Sequence, residues 1–144
     1  MKQIAIDQFS IEIPENWRVS ADKDNLLRID SGVIDNGEHV AFCVYPKKID
    51  KSFPLEKYAN YFADHYSKST GFVLISKQIK SEEGLRFGFL EVESLGHTKG
   101  NRVRWNTYLL PMQPGEYFVF EFYSEKTAFI KYQELFRKIF LSIQ

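Results

Sequence analysis

Residues 102–123, RVRWNTYLLPMQPGEYFVFEFY, decide the fold. Two runs rich in aromatic and β-branched side chains flank Gln113-Pro114-Gly115. Proline fixes its own φ and glycine accepts a positive one, so this cluster turns the chain and the runs read as strands 102–110 and 116–123 of one hairpin. With Pro114 near the centre of a tight turn, Phe118 lies across from Leu109, Phe120 from Thr107 and Phe122 from Trp105. Side chains alternate along a strand, which gathers Val103, Trp105, Leu109, Phe118, Phe120 and Phe122 on one face. Leu90 and Val92 join them, forming the expected main core under the closing helix.

That register gives the opposite face two characters. Phe87, Phe89, Tyr108, Leu110, Tyr117 and Val119 occupy one end, and Glu91, Glu93, Arg102, Arg104 and Glu121 the other. Carboxylates beside guanidinium groups on the next strand predict a solvated ion-pair ladder, each pair contributing about 0–1 kcal/mol. If the first helix covers the apolar half, the result is a three-layer α/β/α sandwich. If it leaves part uncovered, the aromatic half becomes a partner-binding groove rimmed by the charges. A register slip of one residue would exchange the faces.

Upstream lie strands 72–79 and 86–95, with connections Ser81-Glu82-Glu83-Gly84 and 96–100, completing an antiparallel meander. Before it the period changes. Leu55, Tyr58, Ala59, Phe62 and Tyr66 fall on one helical face. Pro54 suits the first turn, and Gly71 stops the helix near Ser69 or Thr70. Further back, Phe9, Ile11 and Ile13 alternate with Ser10 and Glu12 until Pro14 ends the strand. Strands 26–30 and 39–45 flank the turn signal Asn36-Gly37. The chain closes with a helix whose stripe is Phe129, Tyr132, Phe136, Ile139, Phe140 and Ile143, with Ser124 as the expected N-cap. The order β-β-β-α-β-β-β-β-α implies an α+β fold, an antiparallel β-sheet flanked by helices. No repeat or linker interrupts it, so one domain over 1–144 is expected.

Composition narrows the function. Lysine plus arginine (19) equals aspartate plus glutamate (19), which argues against a nucleic-acid partner. Aromatic residues make up 16% of the chain, a clear excess. One cysteine permits no internal disulfide, and Cys43, in an apolar run, reads as an inert thiol. No apolar run reaches the ~18 residues of a membrane span. Met1 to Asp7 has no apolar region of the signal-peptide kind, which predicts either a cytoplasmic protein or one whose leader has been removed.

Catalytic patterns do not emerge. His39, His65 and His97 are dispersed, with no zinc-type spacing. His39 and Cys43 on one strand face would stand about 13 Å apart, too far to share an ion. Gly96-His97-Thr98-Lys99-Gly100 lacks the ending of a phosphate loop and precedes a strand. Asp64-His65 are helical neighbours that point different ways. Arg102 and Arg104 would depress the Glu91 and Glu93 carboxyls, the wrong direction for a general acid. Neither a metal, nor a cofactor, nor a catalytic residue is expected, and the chain reads as a non-enzyme.

The segment Phe9-Ser10-Ile11-Glu12-Ile13-Pro14-Glu15-Asn16-Trp17 is a strand, a proline stop and a tryptophan returning to plug the core edge. It resembles the opening of PsbP-like and DcrB-like proteins, which often begin with an apolar strand and P-x-x-W. Their element order is also similar: a helix, a long meander and a closing helix. The resemblance implies a Mog/PsbP-type α/β/α sandwich and a mostly non-enzymatic family of assembly factors, Ran-binding proteins and envelope proteins. It extends to the Eag chaperones of secretion effectors, similar in length, which bind hydrophobic segments as dimers. The polar loop 19–25 departs from that group.

The resulting expectation is a non-catalytic binding module, an adaptor or chaperone, with Phe87, Phe89, Tyr108, Leu110, Tyr117 and Val119 as its contact surface for a protein partner. An alternative is a small-ligand or enzymatic pocket between the first helix and the sheet, lined by Asp64, His65 or Arg104. A homodimer built through the sheet is a third.

Overall fold

The computed structural model describes residues 1–21, 26–31, 40–51, 53–95 and 102–144. The expected Asn36-Gly37 turn, the 96–100 loop, His39, His97 and most of the polar loop 19–25 lie outside them. Strands β1 (Lys2–Ile6), β2 (Phe9–Ile13), β3 (Arg18–Ala21), β4 (Leu27–Asp30) and β5 (Val40–Lys48) precede helix α1 (Leu55–Lys68). After it come β6 (Phe72–Glu82), β7 (Leu85–Leu95), β8 (Arg102–Pro111), β9 (Glu116–Glu125) and helix α2 (Lys126–Leu141).

The sequence reading therefore needs two more strands before α1. In β1, Ile4 and Ile6 alternate with Gln3 and Ala5 and pair with Ile11 and Phe9 of β2 across the turn at Asp7. Strand β3 is exposed at every residue, so it carries no hydrophobic signal.

Seven strands form one antiparallel sheet in the order β3-β4-β5-β9-β8-β7-β6, and β1-β2 form a separate pair. Pro46 sits inside β5, where proline normally cannot belong to a central strand. Among the described residues β4 pairs β5 over Ala41 to Val44, so Pro46 lies beyond the described β4–β5 ladder and takes no bond from it.

The β8–β9 register is one residue from the expected one. Leu110 faces Phe118, Tyr108 faces Phe120 and Asn106 faces Phe122. The expected pairing assumes a two-residue turn. Here the loop has three residues, Gln113 to Gly115, closed by Met112 N–H to the Glu116 carbonyl at 2.9 Å. Gly115 takes φ +79°, the left-handed residue that such loops use.

The shift exchanges the partners of the two cores. On the α2 face, Phe118, Phe120 and Phe122 meet Phe87, Phe89, Tyr108 and Leu110 beneath Phe136, Ile139 and Phe140, with β1-β2 beside the helix. On the α1 face, Leu90, Val92, Leu109, Tyr117 and Val119 lie beneath Leu55, Tyr58, Ala59, Ala63 and Tyr66. Helices thus cover both sides, and the α/β/α sandwich stands. Trp17 packs on Phe42 at 6.1 Å and is buried, in keeping with its expected role as a plug. The C-terminus extends the small sheet, with Ser10 and Gln144 exchanging backbone hydrogen bonds at 3.1 Å.

Ser124 is not the cap of α2. It is the penultimate residue of β9 and fully buried; Glu125 stands at the N-cap and makes no side-chain cap bond.

Candidate functional site

The proposed contact surface is not a surface in this fold. Phe87, Phe89, Tyr108 and Leu110 belong to the α2 core, whereas Tyr117 and Val119 belong to the α1 core. None of the six is more than 8% exposed. The true register interleaves them with other core residues and both helices close over them.

The charged residues divide in the same way. Glu91, Glu93, Arg102 and Arg104 share the α2 face and form a network there. Arg102 Nε donates to Glu93 Oε2 at 2.6 Å, Arg104 reaches Glu93 at 3.4 Å and Glu91 at 3.6 Å, and Lys126 Nζ lies 3.0 Å from Glu93. Hydrogen bonds from Lys126 outweigh burial and hold the Glu93 carboxyl below its ordinary range, joined by those from Arg102. The network is half-buried rather than a solvated ladder, and Arg104 lies over the Phe129 ring at 5.0 Å.

Glu121 is not part of it. The one-residue shift carries Glu121 to the α1 face, opposite Cys43 and Thr107. Tyr45 Oη donates to Glu121 Oε1 at 2.6 Å, and Cys43 Sγ lies 3.8 Å from Oε2. Burial raises the Glu121 pKa, opposed by these two hydrogen bonds and by the charge of His65. Burial and the same carboxylate push the Cys43 thiol up to about 12, which leaves it a poor nucleophile, in line with the inert thiol read from the sequence.

A sign follows for stability. A carboxyl whose pKa is raised by folding favours the native state least once it is ionised, so stability falls as pH rises above its unfolded value. Glu121→Gln keeps an acceptor for Tyr45 and removes that charge. The variant is expected to melt higher than the parent at pH 8 and to lose this advantage near pH 4. Thermal denaturation across that range is the check.

The uncovered part of the sheet surrounds this carboxyl. Helix α1 packs chiefly on β6, β7 and β8. Asn60 bonds Lys77 of β6, and Glu56 pairs with Arg86 of β7. On that face α1 lies over Tyr117 and Val119 of β9 and borders Tyr45 and Lys47 of β5; farther along, toward Tyr123 of β9 and Arg28 of β4, no helix among the described residues packs closely on the sheet. Trp105, Tyr123, Tyr45 and Arg28 are half-buried or exposed there. The Trp105 and Tyr123 rings meet tilted at 38° with centroids 5.0 Å apart, Trp105 Nε1 donates to Ser94 Oγ at 2.7 Å, and Arg28 donates to Tyr123 Oη at 2.7 Å.

Where this half-face meets α1, Tyr45, Lys47, Tyr58, Tyr61, Phe62 and His65 line a cleft of about 210 Å3. His65 reaches it, as the pocket alternative expects. Asp64 is exposed on α1, and Arg104 lies on the opposite sheet face, so the three residues of that alternative do not converge. The sequence does hint at the cleft. Tyr61 and His65 stand beside the apolar stripe of α1, and Tyr61 is 59% exposed, unusual for a large aromatic ring. A second crevice, about 450 Å3, opens between β1-β2 and the main sheet at Ala5, Ile6, Asp7, Ala21, Leu27, Pro46 and Phe118. Among the described residues it has one ionisable side chain, Asp7, and no aromatic cluster.

No group of three or more His, Cys, Asp or Glu side chains that could hold a metal occurs among the described residues. Among them, no helix is long and apolar enough to cross a membrane.

No protein-family model and no curated protein matches the sequence. Solved structures do match. Mog1p, the Ran-binding protein of Saccharomyces cerevisiae, is similar with a TM-score of 0.70 at 7% identity, covering 99% of this chain and 94% of its own. PA94 of Pseudomonas aeruginosa, described as a putative regulator of unknown function, gives 0.68 at 11%, covering 99% and 94%. CyanoP, the cyanobacterial PsbP of Synechocystis sp. PCC 6803, gives 0.64 at 14%, covering 96% and 86%. At such low identity the likeness is one of fold. The chain has the fold shared by PsbP and Mog1p.

Proposed function

We propose that this chain is a non-catalytic protein-binding module, an adaptor or chaperone acting in the cytoplasm. Its contact surface is the outer edge of α1 together with the sheet beyond it, at Tyr45 of β5, Tyr123 of β9 and Arg28 of β4. One observation carries the reading: half-exposed aromatic side chains cluster along the edge of α1 and on the sheet beyond it, toward Tyr123 and Arg28, where no described helix packs closely. Aromatic and arginine side chains are the residues that dominate protein interfaces, and Tyr45, Tyr61, Phe62, Trp105, Tyr123 and Arg28 supply both kinds. The Ran-binding description of Mog1p, a chain of the same fold, supports a protein partner. The cleft is smaller than the ~300–1,000 Å3 usual for small-molecule sites, which favours a partner's side chain over a free ligand.

The test pairs Tyr61→Ala with Arg28→Ala. Both side chains are more than half exposed, so unfolding stability is expected to change by less than about 1 kcal/mol. A partner captured by the parent protein, then purified and titrated, is expected to bind the double variant at least tenfold more weakly. Equal binding of both proteins would overturn the proposal.

A further inference from the structure

We infer that the α1–β5 cleft recognises an aromatic side chain carried within an acidic segment of a partner protein. This rests on the binding-module reading and gives it a ligand chemistry. The walls are rings: Tyr58 and Tyr61 stack at 6.4 Å and Tyr58 meets Phe62 edge-on at 5.7 Å, while Phe53, outside the lining, meets Tyr61 edge-on at 6.2 Å. Offset and edge-on geometries of this kind extend readily to one more ring. About 210 Å3 accommodates one aromatic side chain rather than a folded element.

The rim is positive. The chain as a whole is neutral, yet residues 47–57 contain Lys47, Lys48, Lys51 and Lys57 against Asp50 and Glu56. Glu56 is taken up by Arg86 of β7. Lys57 sits over the Phe53 ring at 4.8 Å, beside Tyr61, and Lys47 lines the cleft with His65. No carboxyl is among the described residues that line the cleft, and nearby Glu121 is engaged by Tyr45 and Cys43. An acidic sequence flanking the inserted ring meets complementary charge on the rim, and a basic one meets repulsion. The chemistry disfavours nucleic acid, which needs a charged stripe rather than a single small cleft.

The experiment titrates the full chain with three blocked pentapeptides, followed by backbone amide shifts in NMR: Glu-Glu-Phe-Glu-Glu, Lys-Lys-Phe-Lys-Lys and Glu-Glu-Ala-Glu-Glu. The first is expected to shift amides around Tyr45, Lys47 and Tyr61 and to bind about tenfold more tightly than the other two. Lys47→Glu with Lys57→Glu is expected to remove that preference while leaving the melting temperature near the parent value. Equal affinity for the basic peptide, no dependence on the phenylalanine, or no binding by any of the three overturns the inference. So does a ten-nucleotide oligothymidylate that shifts the same amides more tightly. In each case the wider reading stands or falls separately, on the response of the captured partner to Tyr61→Ala and Arg28→Ala.

Discussion

Phe140→Ala is expected to destabilise the fold by about 3–5 kcal/mol, the range for emptying a fully buried aromatic site. Phe140 is completely buried in α2 and packs against three rings of the sheet: Tyr108 at 4.3 Å, Phe87 at 4.7 Å and Phe120 at 5.2 Å. Removing it leaves a cavity whose walls come from β7, β8 and β9, paired strands that cannot collapse inward without breaking their ladders. Such rigid walls place the cost toward the upper part of the range. Urea denaturation measures it, and a loss below about 1.5 kcal/mol would show that α2 does not seat as described. Phe140→Leu, which fills much of the space, is expected to cost clearly less. If the two variants were equally destabilised, volume would not be the cause.

Gly115→Ala is expected to cost about 2–4 kcal/mol, from two sources of similar size. The backbone stands at φ +79°, where an L-residue with a Cβ is strained by about 1–2 kcal/mol. The added Cβ would also lie 2.6 Å from the Ile49 carbonyl oxygen and 3.2 Å from the Lys51 nitrogen. Both are backbone atoms, so the 49–51 segment must move. That movement breaks the 2.7 Å hydrogen bond from Ile49 N–H to the Gly115 carbonyl. Gly84→Ala separates the two contributions. Its φ is +82°, but its Cβ would meet nothing within 4 Å, so it should lose only the conformational part. Similar losses for the two variants would remove the steric account.

These two sites show how far the sequence is legible. The stripe of Phe129, Phe136, Ile139 and Phe140 is visible as a helical period, and the structure buries it as that period requires. The four-strand meander and α1 are equally plain, because alternation and the 3.6-residue repeat are local properties. Gln113-Pro114-Gly115 is recognisable as a turn, but residue types alone do not distinguish a loop of two residues from one of three. That single residue decides which face each side chain occupies. It moves Glu121 from an ion-pair network to the α1 face, and it converts Phe87, Phe89, Tyr108 and Leu110 from a contact surface into the floor of the α2 core. The added strand β3 was illegible for another reason: it is an edge strand, exposed at every position.

The sequence by itself determined the α+β class, the two amphipathic helices, the meander and the resemblance to the PsbP-like fold. Each rests on periodicity or on residues that punctuate the chain, signals that act within a few positions. Only the tertiary structure decided the β8–β9 register, the side of the sheet each helix covers, and the aromatic side chains left half-exposed. Those depend on long-range docking, in which α1 settles over β6, β7, β8 and the end of β9 at Tyr117 and Val119 and leaves the Tyr123 end of β9 and β4 without a described covering helix. The aromatic excess thus has two destinations. Most of it fills two cores that the helices seal, and the remainder, Tyr45, Tyr61, Phe62, Trp105 and Tyr123, borders the cleft and the uncovered half-face because no local pattern dictates where a helix stops covering a sheet.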